Sequence, residues 1–257
     1  MPDLHARVPQ SEEYARYADA HWRELMDRYQ PSILWNDIDY PRRGDLTRLF
    51  ADFYNRTPEG VVNNRWGVEF SDFTTPEYAM SDRVAGKKWE ATRGLGFSFG
   101  YNQVEGPEQV LSAARLIATF VDIVSKGGNL LLNIGPRADG SIPPIQLERL
   151  RSLGAWLKTN GDAIFATRPW VRPEGRTADG IDVRFTRRGD AVYAILLGRP
   201  KGARVTLENL TAAPGAAVEV LGAGASVWKQ NGRNLEVAWP HLPESEAYAL
   251  KIVPVKE

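Results

Sequence analysis

The sequence predicts an α/β fold followed by an all-β one. Three observations carry this. Up to about residue 165, apolar strand-like runs alternate with stretches of helical periodicity. Beyond it the runs are short, β-rich and separated by Gly, Pro, Asp and Asn. No helical stripe interrupts that second part. With 257 residues and 43% apolar content, the chain is long enough for one large domain or two modest ones, each with a packed core.

Ser11 is placed to cap a helix over "EEYARYADAHWRELMDRY", where Tyr14, Ala18, Leu25 and Tyr29 share a face with Trp22 beside it, and Pro31 stops the pattern. "SILW" reads as a short buried strand. Asp45 then caps "LTRLFADFYNRT", in which Leu46, Leu49, Phe50 and Phe53 recur at helical spacing. "EGVVNNRW" follows as a strand, and "WEATRGLGFSFGYN" as a strand running into a glycine-rich loop. Val110, Ala114, Ile117, Val121 and Val124 stripe "VLSAARLIATFVDIVSKGG", which its two glycines end. "NLLLNIGPRADG" supplies a continuous apolar strand with a turn, in which Lys126 just before it and Asp139 read as turn residues, and "IQLERLRSLGAWLKTNG" a further helix. About four strands thus alternate with helices, the pattern of parallel βαβ units.

After the boundary at residues 167–171 come "DVRFTRR", "AVYAILLG", "ARVTLENL", "AAVEVLG", "NLEVAWP" and "AYALKIVPV", the pattern of a small antiparallel β-sandwich of ~85 residues. The expected domains are therefore 1–168 and 169–257.

Lys plus Arg balance Asp plus Glu at 32 each, so no global field favours nucleic acid or an anionic membrane. The chain has no cysteine, hence no disulfide or thiolate metal site, and His5, His21 and His241 are too scattered to suggest a metal cluster. "MPDLHARVPQSEEY" has no apolar signal core and no stretch approaches the ~20 apolar residues of a membrane span, so a soluble, cytoplasmic chain is expected. Aromatic residues make up 10%, and their flat rings suit both cores and sugar faces.

In "ILWNDIDYP", Asp37 and Asp39 follow the end of a strand, where α/β architectures place catalytic groups. Such a pair can hold a divalent metal for a sugar transferase, serve as one half of a glycosidase carboxylate pair, act as a general base, or form an ordinary polar turn. A glycosidase needs a second carboxylic acid, for which Glu59, Glu69, Asp72, Glu77 and Glu90 are candidates. Glu77 lies on a loop and Glu90 beside a strand. Arg65 in "NNRWG" is placed to hold a carboxylate or a sugar hydroxyl. Gly94, Gly96 and Gly100 lack dinucleotide spacing and fit a tight βα loop better than a phosphate cradle.

Six stretches in order, "YARYADAHWRELMDRYQPSILWNDIDYP", "EGVVNNRWG", "DFTTPEYAM", "KWEATRGLGFSFGYNQVEGPE", "LIATFVDIVSKGGNLLLNIGPRADGSIPP" and "GDAIFATRPW", resemble the α-L-fucosidases of glycoside hydrolase family 29 over residues 12–170, and more weakly beyond. The resemblance implies a retaining glycosidase of an irregular (β/α) barrel followed by a β-sandwich, acting without a cofactor on fucosylated oligosaccharides or aryl fucosides. It puts the nucleophile on Asp37 and the acid/base on Glu77, with Glu90 in reserve. Arg65 would line the fucose pocket, and Trp35 and Trp66 would be aromatic walls for the sugar's apolar face. Two departures stand out. Asp39 occupies a position where relatives commonly have glycine, which adds a like charge beside Asp37 and constrains the turn. The family's N-terminal barrel segment, with its fucose-gripping histidines, has no counterpart before Ser11, whereas a full barrel takes at least ~200 residues. The expectation is therefore an α/β partial (β/α) barrel, about half of a TIM-like barrel, plus a small antiparallel β-sandwich. Its open sheet edges call for a homo-oligomer or pairing with an N-terminal barrel fragment. The alternative is an inactive fragment or fucose-binding relic.

Overall fold

The computed structural model describes residues 8–79 and 86–255, so His5 lies outside the described residues. Packing gathers the chain into two units. One comprises Met1–Pro76 with Gly86–Glu90, and the other Glu77–Ala85 with Ala91–Glu257.

The first unit begins with α1 (Glu12–Tyr29), capped as expected by Ser11, whose hydroxyl accepts from the Tyr14 N–H. The buried stripe of α1 differs from the one periodicity suggested. Ala15 and Met26 are buried with Ala18 and Trp22 beside them, whereas Leu25 and Tyr29 are exposed. A helix carrying aromatics all round offers two overlapping 3.6-residue stripes, and only tertiary packing chooses between them. β1 (Ile33–Leu34) pairs in parallel with β2 (Val61–Val62) across α2 (Leu46–Arg56), whose Leu49, Phe50 and Phe53 are buried as the spacing implied. β3 (Phe73–Thr74) pairs in parallel with the first residues of β4 (Lys88–Gly94). The core of this unit is Met26, Leu34, Tyr40, Leu49, Phe50, Phe53, Val62 and Trp66.

In the second unit, α3 (Ala113–Ser125) leads through Gly127, at φ +81, into β5 (Gly128–Asn133), and α4 (Pro144–Asn160) follows. Then come β6 (Arg168–Arg176), β7 (Asp182–Arg188), β8 (Ala191–Leu196), β9 (Arg204–Leu207), β10 (Ala212–Val220), β11 (Gly224–Ala225), β12 (Trp228–Asn231), β13 (Asn234–Ala238) and β14 (Tyr248–Val255). They form a six-stranded sheet, ordered β11-β10-β14-β8-β7-β6, and a three-stranded sheet, β12-β13-β9, paired antiparallel throughout. All six residues of β8 are buried because both of its faces are covered. Val192, Ala194 and Leu196 face the three-stranded sheet's Val205, Leu207 and Val237. Ala191, Tyr193 and Ile195 pack with Ile117 and Val121 of α3 and Trp156 of α4.

Before residue 165 the chain has five strands among the described residues, where sequence suggested about four. They lie in small sheets with β1 parallel to β2 and β3 parallel to β4. Two-residue β3 carries too little pattern to be seen. β6 is a second addition: Pro169 and Pro173 argue against a strand, yet β6 is an edge strand with a register shift between Pro169 and Glu174, where proline is tolerated.

Lys126 lies in the turn that closes α3, as expected, and is also buried. Its ammonium reaches Asp122 and Glu174, each at 2.9 Å, and Asp122 also takes the Arg184 Nε at 2.5 Å. Burial alone would lower the lysine pKa, but the bonds to Glu174 and Asp122 outweigh it and raise it.

Candidate active site

The residues after β1 are held by asparagine side chains. Asn36 N–H donates to Asn63 Oδ1 at 3.0 Å, and Asn63 Nδ2 donates back to the Asn36 carbonyl at 2.7 Å. Asn36 Nδ2 in turn donates to the Asp39 and Arg65 carbonyls, at 2.8 and 2.9 Å. The fully buried Asn63 therefore ties the β1 loop to the β2 loop. Sequence reasoning overlooked both asparagines; the doublet in "VVNNRW", just past a strand end, was the available signal.

On this frame stands Asp37, with a two-thirds exposed side chain. Arg65 Nη1 donates to Asp37 Oδ1 at 3.0 Å, while its Nε and Nη2 are fixed on the Thr75 hydroxyl (2.7 Å) and carbonyl (2.8 Å). Thr75 is itself held, since both its N–H and its hydroxyl donate to Asn64 Oδ1. The guanidinium lies 4.8 Å from the Trp35 ring centre, and the Trp35 indole N–H donates to Glu90 Oε1 at 2.8 Å. Asp37, Arg65, Trp35 and Glu90 thus form one connected group. The ion pair contributes well under ~1 kcal/mol to stability because Asp37 faces water, so the arrangement serves geometry more than folding.

Asp39 adopts φ +45, the left-handed conformation in which glycine is at ease. Its Oδ2 is buried and has no hydrogen-bond partner among the described residues. The next residue, Tyr40, is buried and donates to Asp19 Oδ1 at 3.3 Å. Burial, with the Asp19 charge and hydrogen bond behind it, pushes the phenol up to about 12.

The other candidates are distributed differently. Trp66 is 1% exposed, with its ring among Trp22, Phe50 and Tyr40 at 4.7, 5.1 and 6.1 Å between centroids. That position supports the loop from within the core rather than offering a face to a sugar, as had been expected of it. Asp72 is taken up structurally, accepting from the Tyr54 hydroxyl (2.6 Å) and the Val62 N–H (2.7 Å). Glu59 and Glu69 are exposed. Glu77 belongs to the second unit; it is exposed and makes a parallel bridge with Thr92 of β4. The group can present one carboxylate, oriented by an immobilised cation and flanked by an indole, to an electrophilic carbon.

A sequence model of the α-L-fucosidase family matches residues 2–162, and one of the α-L-fucosidase C-terminal domain matches residues 179–253. The chain is 34% identical over 253 residues to human tissue α-L-fucosidase, covering 91% of this chain and 54% of that protein. It is 36% identical over 231 residues to human plasma α-L-fucosidase, covering 83% and 50%. Among solved structures, Thermotoga maritima α-fucosidase in complex with a mechanism-based inhibitor superposes with a TM-score of 0.86 at 46% identity, over 95% of this chain and 58% of that one. The same bacterium's enzyme in complex with fucose gives 0.84 at 45%, over 95% and 57%. The chain spans about half the length of the curated relatives it matches. By the match of both family models, in order and along most of its length, the chain belongs to the α-L-fucosidase family.

Proposed function

We propose that the chain carries the nucleophile and the acid/base of a retaining α-L-fucosidase, arranged on the second half of a (β/α) barrel. Asp37 attacks the anomeric carbon of a terminal α-L-fucosyl residue as the bond to the leaving oxygen breaks, and Glu77 gives that oxygen its proton. Glu77 then takes a proton from water, whose oxygen releases the sugar from Asp37. The observation that carries this reading is the clamped Arg65. Two of its nitrogens are fixed on Thr75, and the third holds Asp37 Oδ1 at 3.0 Å. Half-buried Trp35 offers apolar surface for the C5 methyl of fucose. Glu90, bonded to the Trp35 indole, sets that ring rather than serving as the acid. The substrates are fucosylated oligosaccharides or aryl fucosides, and the reaction draws on no cofactor.

Release of a chromogenic aryl α-L-fucoside is expected to fall about 10³-fold or more in Asp37→Gly, with azide restoring turnover by taking the vacated place. Equal rates for the wild type and the variant overturn the assignment. The two-strand sheet of β1 and β2 favours a second reading in which activity requires self-association or a further barrel piece. Specific activity that rises with protein concentration, or on adding that piece, supports it; constant specific activity of the chain alone rejects it.

A further inference from the structure

Tyr78 directly follows the proposed acid/base and holds φ +51, where a bulky side chain persists only if its surroundings fix it. Three bonds do so, all to the end of β4 or just beyond. The Tyr78 N–H donates to the Thr92 carbonyl at 3.0 Å, the hydroxyl accepts the Gly94 N–H at 3.2 Å, and it donates to the Gly96 carbonyl at 3.2 Å. The ring is held as well, edge-on to Phe99 at 5.2 Å and beneath the Arg93 guanidinium at 5.4 Å. Gly94 is part of the same fitting, since a Cβ there would meet the Ser98 carbonyl at 2.6 Å and the Tyr78 hydroxyl at 2.9 Å. Glu77 itself touches β4 through its bridge with Thr92.

We propose that Tyr78 is a positioning residue for Glu77: its amide and hydroxyl lock the chain onto the end of β4, so that the Glu77 carboxyl meets the leaving oxygen in one geometry. This rests on Glu77 being the acid/base. Its consequence is selective. A misplaced acid matters in proportion to how much the leaving group needs a proton, and not at all for one that departs as a stable anion.

The test is Tyr78→Phe in the full chain, which keeps the ring and removes the hydroxyl, with Gly94→Ala as a second variant that presses on the same contact. In amide hydrogen exchange, Tyr78 and Gly94 are expected to exchange about 10-fold faster or more in Tyr78→Phe, while Tyr193 in β8 is unchanged, which shows the fold intact. Unchanged exchange at Tyr78 and Gly94 overturns the proposal whether or not the chain turns over substrate. In kinetics, kcat/KM is expected to fall up to about 100-fold for the poorest aryl leaving group and to stay within about 3-fold for fucosyl fluoride. A uniform loss across leaving groups overturns it as well. Glu77→Gln separates the two readings. If Glu77→Gln lacks this leaving-group dependence, the acid/base assignment fails. If Glu77→Gln shows it and Tyr78→Phe does not, Tyr78 is not a positioning residue.

Discussion

Asp39 combines a left-handed backbone with a buried carboxylate oxygen that has no partner among the described residues. An unpartnered buried polar atom costs about 1–3 kcal/mol, and a left-handed L-residue roughly another 1 kcal/mol. Glycine removes both costs and gives back about 0.5–1 kcal/mol through the freer unfolded chain. The Asn36 bond survives because it goes to the Asp39 carbonyl. Asp39→Gly is therefore expected to stabilise by about 1–3.5 kcal/mol, read as a Tm higher by at least about 2 °C; a lower Tm shows that the carboxylate is held by an interaction worth keeping. Part of this was legible beforehand, since the resemblance flagged the position as glycine-like and strand-end logic flagged Asp37. Trp66 was not legible. A tryptophan after Asn-Asn-Arg can face either way, and only the surrounding Trp22, Phe50 and Tyr40 decide that it turns inward.

Between elements, the buried carboxylate of Asp122 joins α3 to β7 through Arg184, while Lys126 joins α3 to β6 through Glu174. Removing Asp122 takes the buried counter-charge from two largely buried cations and leaves them the half-exposed Glu174. Breaking such a group costs about 3–5 kcal/mol, because what remains is desolvated charge rather than a lost attraction. Asp122→Ala should lower the urea midpoint of the second unit's transition by that amount divided by the transition's slope, with the slope unchanged, and adding Lys126→Met should recover part of the loss. Full additivity of the two substitutions argues that they do not share one cluster. The sequence hid this because Arg184 lies 62 residues from Asp122 and Lys126 sits beside two glycines that read as a turn. β8 was plain to read, because burial on both faces writes itself as an unbroken apolar run. Prolines concealed β6, an edge strand that can carry them.

Across the whole molecule, the expected boundary near residue 168 tracks composition, whereas the packing units part at Pro76/Glu77, Ala85/Gly86 and Glu90/Ala91. Composition registers that helices stop and strands begin. It does not register that α3 and α4 cover the outer face of β8, an association across some 35–78 residues of chain. Each unit has its own apolar core: eight residues in the first, against the larger clusters on both faces of the six-stranded sheet in the second. Separate cores of unequal size predict departure from two-state melting. Calorimetry should resolve two transitions, the first unit melting at the lower temperature because it buries less apolar surface. Asp39→Gly should raise the lower transition alone and Asp122→Ala depress the upper one alone. Alkali adds a check, since Tyr40 in the first unit has its pKa raised to about 12, above its ordinary value of about 10. A raised pKa means that the folded state holds the proton more tightly, so this contribution is whole below pH ~10 and is lost as pH climbs through ~12. The lower transition should fall across that window, and fall less in Tyr40→Phe. A single transition that moves with all three substitutions would show instead that the two cores melt as one.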